Sequence, residues 1–145
     1  LMGSGGIEDM ETYNSMPGIQ KLLSDFLGGE MNQEKIEGLL KLFPYDSSII
    51  TDEMIEDRMQ ILPLMNPQVL ASMKIPNLED DLGKITHPML VFWGMDDKFC
   101  PVSGASKIGQ KCHDAQIILF SRCGHWVMIE REEIFNQTCI DFLNR

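Results

Sequence analysis

The sequence predicts an α/β protein, the end of a doubly wound parallel sheet preceded by a helical segment, and three observations lead there. Met89-Leu-Val-Phe-Trp93 and Gln116-Ile-Ile-Leu-Phe120 are unbroken apolar runs of strand length, the pattern of strands covered on both faces. Each run is followed by helical spacing, first over Val102 to Cys112, then over Glu130 to Leu143 with Ile134, Phe135, Cys139, Phe142 and Leu143 on one face. From Ile19 to about Met73 apolar residues recur at three and four, without strand alternation. The order strand, helix, strand, helix directs functional groups to the loops beyond the C-terminal strand ends.

Each element has its own local reasons. Leu1-Met2 reads as the end of a buried strand, with Gly3 to Gly6 as a turn using positive φ, although Gly-Ser-Gly-Gly is equally the composition of a flexible spacer. Ile19, Leu22, Leu23 and Phe26 mark a helix that Gly28-Gly29 breaks. Ile36, Leu39, Leu40 and Phe43 mark a second, with Asn32 placed to cap it and Pro44 to close it, because a residue before proline is driven from the helical region. Thr51 caps a third, whose first-turn Asp52 and Glu53 favour the positive end of the helix dipole. Its apolar positions are Met54, Ile55, Met59 and Leu62, and Pro63 stops it. Asn66-Pro67 starts a fourth, as an N-cap with proline at the first helical position. Asn77 to Ile85 is one short helix before Pro88 introduces the first apolar run.

Composition excludes several functions. With 12 Lys and Arg against 22 Asp and Glu, the net charge is -10 and no basic run exists, so a surface that tracks nucleic-acid phosphates is excluded. No apolar stretch has membrane-spanning length and no signal-peptide pattern is present, and a cytoplasmic protein with no membrane partner is expected. Cys100, Cys112, Cys123 and Cys139 form no Cys-x-x-Cys pair, so neither a zinc site nor a redox couple is suggested. Cys100 and Cys123 flank the segments of Asp97 and His125; either could act as a nucleophile, but cysteine is also an ordinary small buried residue.

The first apolar run breaks at Gly94 and presents Asp97, while the second ends in Gly124-His125. This is how an α/β-hydrolase displays its acid and its base, in the order Ser, Asp, His, with the serine on a Gly-x-Ser-x-Gly turn. No such turn occurs in the sequence: Ser4, between Gly3 and Gly5, has the wrong spacing. A complete domain of that kind is also roughly twice 145 residues long. The sequence is therefore read as a C-terminal half carrying two members of a triad.

Longer segments narrow the resemblance. Leu39-Leu-Lys-Leu-Phe-Pro-Tyr-Asp-Ser-Ser-Ile-Ile-Thr-Asp-Glu53, the Arg58 that follows, Gly94-Met-Asp-Asp-Lys-Phe-Cys-Pro101 and Phe120-Ser-Arg-Cys-Gly-His-Trp126 resemble the meta-cleavage-product hydrolases, α/β-hydrolases that split carbon–carbon bonds in aromatic degradation. Leu1 to Gly6 resembles the strand end and turn leading into that family's cap, which favours native sequence over a spacer. Gly94 to Pro101 and Gly124-His125 are generic to many α/β-hydrolases; the segment with Arg58 and the Trp126 after His125 are the more specific signals.

The resemblance implies roles. His125 would deprotonate a serine hydroxyl or a water, since imidazole titrates near neutrality. Asp97 would orient that imidazole; Asp96 is chemically equivalent, and Asp97 is preferred for its Gly-x-x-Asp spacing with proline four residues on. Arg58, which by sequence alone reads as a surface ion pair with Glu56 or Asp57, would instead meet a substrate carboxylate. Trp126 and Phe43 would line the apolar part of the pocket, although aromatic residues there are also ordinary core material. His87 and His113 have no comparable context.

The same resemblance implies residues 1–8 as the end of a core strand and turn, 9–75 as a helical cap, and 76–145 as the C-terminal part of the core. It implies a small-molecule dienoate acid as substrate and neither metal nor cofactor. Lacking the serine and the oxyanion donors, the chain alone is expected to be inactive. With a truncated sheet it is expected to self-associate as a homo-oligomer or to belong with a missing N-terminal half. A non-catalytic association module and a generic carboxylesterase are the alternatives.

Overall fold

The computed structural model describes residues 1–27, 29–64 and 75–145. The helix expected at Asn66-Pro67 lies outside them. Helix α1, Met10–Ser15, was not apparent in the apolar spacing; it starts because the Asp9 carboxylate accepts the Thr12 N–H at 2.7 Å, a polar cap without an apolar stripe. Helix α2 runs Pro17–Leu27 with proline in the first turn, where its missing N–H costs nothing. Helix α3, Gln33–Leu40, begins as expected with Asn32 Oδ1 accepting Lys35 N–H at 2.9 Å. It ends short of Pro44: Leu42 and Phe43 donate back only three residues, to Leu39 and Leu40, so the chain tightens and turns before the proline. Helix α4, Asp52–Ile61, is capped by Thr51 Oγ1 on Met54 N–H, and then narrows into a 3-10 turn at Leu62–Leu64. The short helix expected over Asn77 to Ile85 is a 3-10 turn, Glu79–Lys84.

Strand β1, Met89–Gly94, pairs in parallel with β2, Ala115–Phe120, through the register Met89↔Ala115 to Gly94↔Phe120. Helix α5, Ser103–Lys111, is the crossover between them. The other edge of β1 is taken by the first residues of the chain: Met2 bridges Phe92 in parallel, Gly3 N–H donates to Phe92 O, and Phe92 N–H donates to Leu1 O. Alternation along β1 divides the core. Val91 and Trp93 pack with Ala105 and Ile108 of α5, whereas Leu90 and Phe92 face Cys123 and Val127.

The helix expected over Glu130 to Leu143 begins two residues later, as α7 Glu132–Leu143, and a short helix not expected from the sequence, α6 Val127–Glu130, precedes it across a break at Arg131. Arg131 leaves helical geometry there, and its guanidinium donates to the carbonyls of Glu130, Ser121 and Arg122. The inner face of α7 consists of Phe135, Cys139 and Phe142 against the Leu90 and Phe92 side of the sheet. Ile134 and Leu143, expected on that face, are exposed by 49% and 79%. An apolar groove of about 560 Å3 opens beside this layer, bounded by Leu1, Met89, Leu90, Phe135 and Leu143.

Buried Glu8 ties three segments together. Its carboxylate accepts from Ser103 Oγ at 2.6 Å and Lys107 Nζ at 2.5 Å, and Lys107 also reaches Glu79 at 2.8 Å. The segment before α1, the 3-10 turn and α5 are thereby held in one ion-paired set.

Candidate active site

Two loops meet beyond the C-terminal ends of β1 and β2. They approach so closely at Gly94 that a Cβ there would fall 2.0 Å from Gly124 O and 2.3 Å from Cys123 O, so only glycine fits. Asp97 follows in a tight turn, its Oδ1 accepting the N–H groups of Phe99 at 2.8 Å and Cys100 at 2.9 Å. Its Oδ2 lies 2.8 Å from Nδ1 of His125, so the structure brings Asp97 and His125 together. The Asp97 side chain is 1% exposed, whereas Asp96 stands exposed at the turn. A buried carboxylate on Nδ1 fixes that nitrogen as the N–H donor and leaves the Nε2 lone pair free to accept a proton.

Gly3 forms the floor under this pair. It has φ +45, and a Cβ on it would sit 2.9 Å from both Asp97 Oδ2 and His125 Nδ1. The residue was legible in the sequence only as one of several turn glycines, because its contact with the pair exists only after β1 is flanked by Leu1-Met2.

Two aromatic rings pack on the imidazole: Phe99 at 5.4 Å and Phe43 at 5.7 Å between centroids, both tilted. Phe43 also stacks on Phe99 at 4.1 Å and on Trp126 at 4.9 Å. Phe43 therefore links the Asp97–His125 pair to a cleft of about 350 Å3 whose walls include Leu22, Ile36, Leu40, Arg58 and Trp126. Phe99, buried against both Phe43 and His125, carried no sequence signal beyond its apolar character. Arg58 is exposed on α4 and makes no ion pair among the described residues, contrary to the plain surface-pair reading of the sequence. His87 and His113 are not among the cleft-lining residues.

Asp97, Cys100 and His125 each offer a ligand atom within 4.8 Å of the others. Nδ1 is already occupied by Asp97, and burial, helped by the Asp97 charge, pushes the Cys100 thiol up to about 12. Burial, with Glu130 next, likewise raises Cys123 to about 12. Burial thus disfavours at both cysteines the thiolate that a nucleophile needs. Alkylation at pH 8 followed by peptide mass spectrometry is expected to leave Cys100 and Cys123 unmodified in the folded protein and to label both in denaturant.

A buried carboxylate on a histidine, both presented beyond the ends of two parallel strands joined by a helical crossover, is the arrangement in which α/β-hydrolases carry an acid and a base. The family model for the alpha/beta hydrolase fold matches residues 8–132, and the chain belongs to that family. It is 36% identical to the 2-hydroxy-6-oxo-6-phenylhexa-2,4-dienoate hydrolase of Burkholderia cepacia, over 99% of this chain and 52% of that one. It is 35% identical to the 2-hydroxy-6-oxononadienedioate/2-hydroxy-6-oxononatrienedioate hydrolase of Comamonas testosteroni, with the same coverage. Among solved structures, the meta-cleavage product hydrolase of Pseudomonas fluorescens IP01 superposes with a TM-score of 0.82 at 27% identity, covering 99% of this chain and 54% of that chain. The chain thus spans about half the length of the relatives it matches. No helix among the described residues is long and apolar enough to cross a membrane.

Proposed function

We propose that this chain is the base-bearing half of a carbon–carbon bond hydrolase acting on 2-hydroxy-6-oxo-dienoate acids, with the serine nucleophile and the oxyanion donors on an N-terminal half. The observation that carries the reading is the 2.8 Å Asp97–His125 pair joined through Phe43 to a cleft lined by Arg58, which has no ion-pair partner among the described residues. The similarity to dienoate hydrolases along the whole chain supports the same substrate class.

In this reading residues 1–8 end a core strand, 9–75 form the cap and 76–145 the C-terminal core. The dienol substrate first becomes its keto tautomer, which gives the carbon leaving group a carbonyl to receive its electrons. His125 Nε2 then takes the proton of the attacking serine or water as its oxygen bonds to the C6 carbonyl carbon; the C5–C6 bond breaks, its electron pair passes into the dienolate, which recovers the proton from His125, and C6 leaves as a carboxylic acid, directly or after water hydrolyses the acyl-serine. Asp97 stabilises the imidazolium that forms. Arg58 meets the carboxylate at the far end of the conjugated system, where a permanently charged planar fork suits a delocalised anion. Trp126 and Phe43 bound the apolar group.

An Arg58→Ala variant of the polypeptide carrying both halves is expected to raise KM for a dienoate acid about tenfold or more, the value of a charge-assisted hydrogen bond. Steady-state kinetics on the dienoate and on an uncharged ester separates the readings: an equal, small effect on both substrates would favour a carboxylesterase. The apolar groove beside α7 is the surface that the N-terminal half would cover. Expressed by itself, the chain is expected to sediment as a homo-oligomer; a monodisperse monomer would count against this.

A further inference from the structure

Glu130 closes α6 five residues after His125, and its carboxylate accepts two backbone N–H groups at once. Oε1 receives Gly124 N–H at 2.8 Å, and Oε2 receives Tyr45 N–H at 2.8 Å from a segment 85 residues away. The next peptide repeats the connection directly, with His125 N–H donating to Phe43 O at 2.7 Å. Two successive peptides of the histidine loop are thus fastened to residues 43–45, one by the main chain and one through Glu130. Phe43 is also the ring that packs on His125, Trp126 and Phe99.

The loop needs such a fastening. Arg122, two residues before Gly124, sits at φ 51, the one non-glycine residue with positive φ among the described residues, in a conformation crowded by its Cβ. Arg131 binds the Ser121 and Arg122 carbonyls from one end of the loop, and Glu130 binds the Gly124 amide at the other.

We propose that Glu130 is the positioning residue for His125, a two-oxygen clamp that joins the histidine loop to the Phe43–Tyr45 turn and thereby holds the imidazole on Asp97. The role rests on the reading of His125 as the base. A carboxylate suits it because both oxygens accept. An amide offers one acceptor and one donor, so Glu130→Gln at the same size must turn an NH2 toward one of the two N–H groups. Glu130→Asp keeps the charge but is one methylene short of bridging both.

In the polypeptide carrying both halves, each variant is expected to lower kcat about tenfold to a hundredfold with a much smaller change in KM, the scale expected when a catalytic group shifts by about 1 Å. The accompanying readout is the proton NMR signal of the Nδ1–H between His125 and Asp97, which should shift or broaden in both variants. Circular dichroism identifies the folded samples. A folded Glu130→Gln protein with wild-type kcat and an unmoved Nδ1–H signal would overturn the proposal, as would full activity of Glu130→Asp, which would mean that charge without the bridge suffices. The NMR signal and turnover of an activated ester require no dienoate. Absence of dienoate cleavage by the wild type, with the Nδ1–H signal still moved by Glu130→Gln, would therefore reject the substrate assignment and leave the clamp standing.

Discussion

Replacing His125 by alanine in the polypeptide that carries both halves is expected to lower kcat by about four orders of magnitude, with Asp97→Asn close behind. The two losses have different causes. Without His125 the described residues present no other imidazole at the C-terminal strand ends to take the proton. Asp97→Asn keeps the Oδ1 acceptor for the Phe99 and Cys100 amides, so the turn survives, but it places an NH2 against Nδ1. The imidazole then accepts at Nδ1 and carries its proton on Nε2, the wrong tautomer for a base. Single-turnover kinetics on folded variants, with stability followed separately, checks this. Retention of more than a few per cent of wild-type kcat by either variant would show that the pair is structural.

The largest expected effect on stability is at Trp93. Its side chain is fully buried, its ring lies against Gly104 of α5, and Nε1 donates to Cys100 O at 3.0 Å. Trp93→Ala is expected to cost about 3–5 kcal/mol in urea unfolding, since it empties the largest volume between β1 and α5. It also leaves the Cys100 carbonyl without that donor. Because Cys100 N–H is one of the two amides holding Asp97, the loss should loosen the acid as well as the core. Trp93→Phe, which keeps most of the packing but drops the hydrogen bond, should fall between; equal stability of Trp93→Ala and wild type would contradict the packing described.

These expectations draw unequally on sequence and structure. Both strands, the crossover helix, the Asn32 and Thr51 caps and the choice of Asp97 over Asp96 were legible because each is set by local rules: apolar runs, side-chain oxygens three residues ahead of a free N–H, and a fixed turn spacing. Helix α1 was missed because a polar cap with one buried tyrosine leaves no periodicity to find. The break at Arg131 was missed because it is made by three carbonyls that only the folded loop presents to the guanidinium. The exposure of Ile134 shows the limit of periodicity: apolar spacing marks a helix face, but whether that face meets a partner depends on what lies across from it.

The sequence by itself determined which residue types could form an acid and base, which elements would carry them, and that the serine turn was not among these 145 residues. Tertiary structure alone decided that Asp97 and His125 share a hydrogen bond, that Gly3 underlies it, and that Glu130 fastens the loop to residues 43–45. The physical reason is separation along the chain. Caps arise from neighbours a few residues apart and strands from local apolar runs, whereas the geometry of the site depends on segments far apart in the chain, such as Tyr45 and Glu130, 85 residues distant, which only the packed fold brings to within 3 Å.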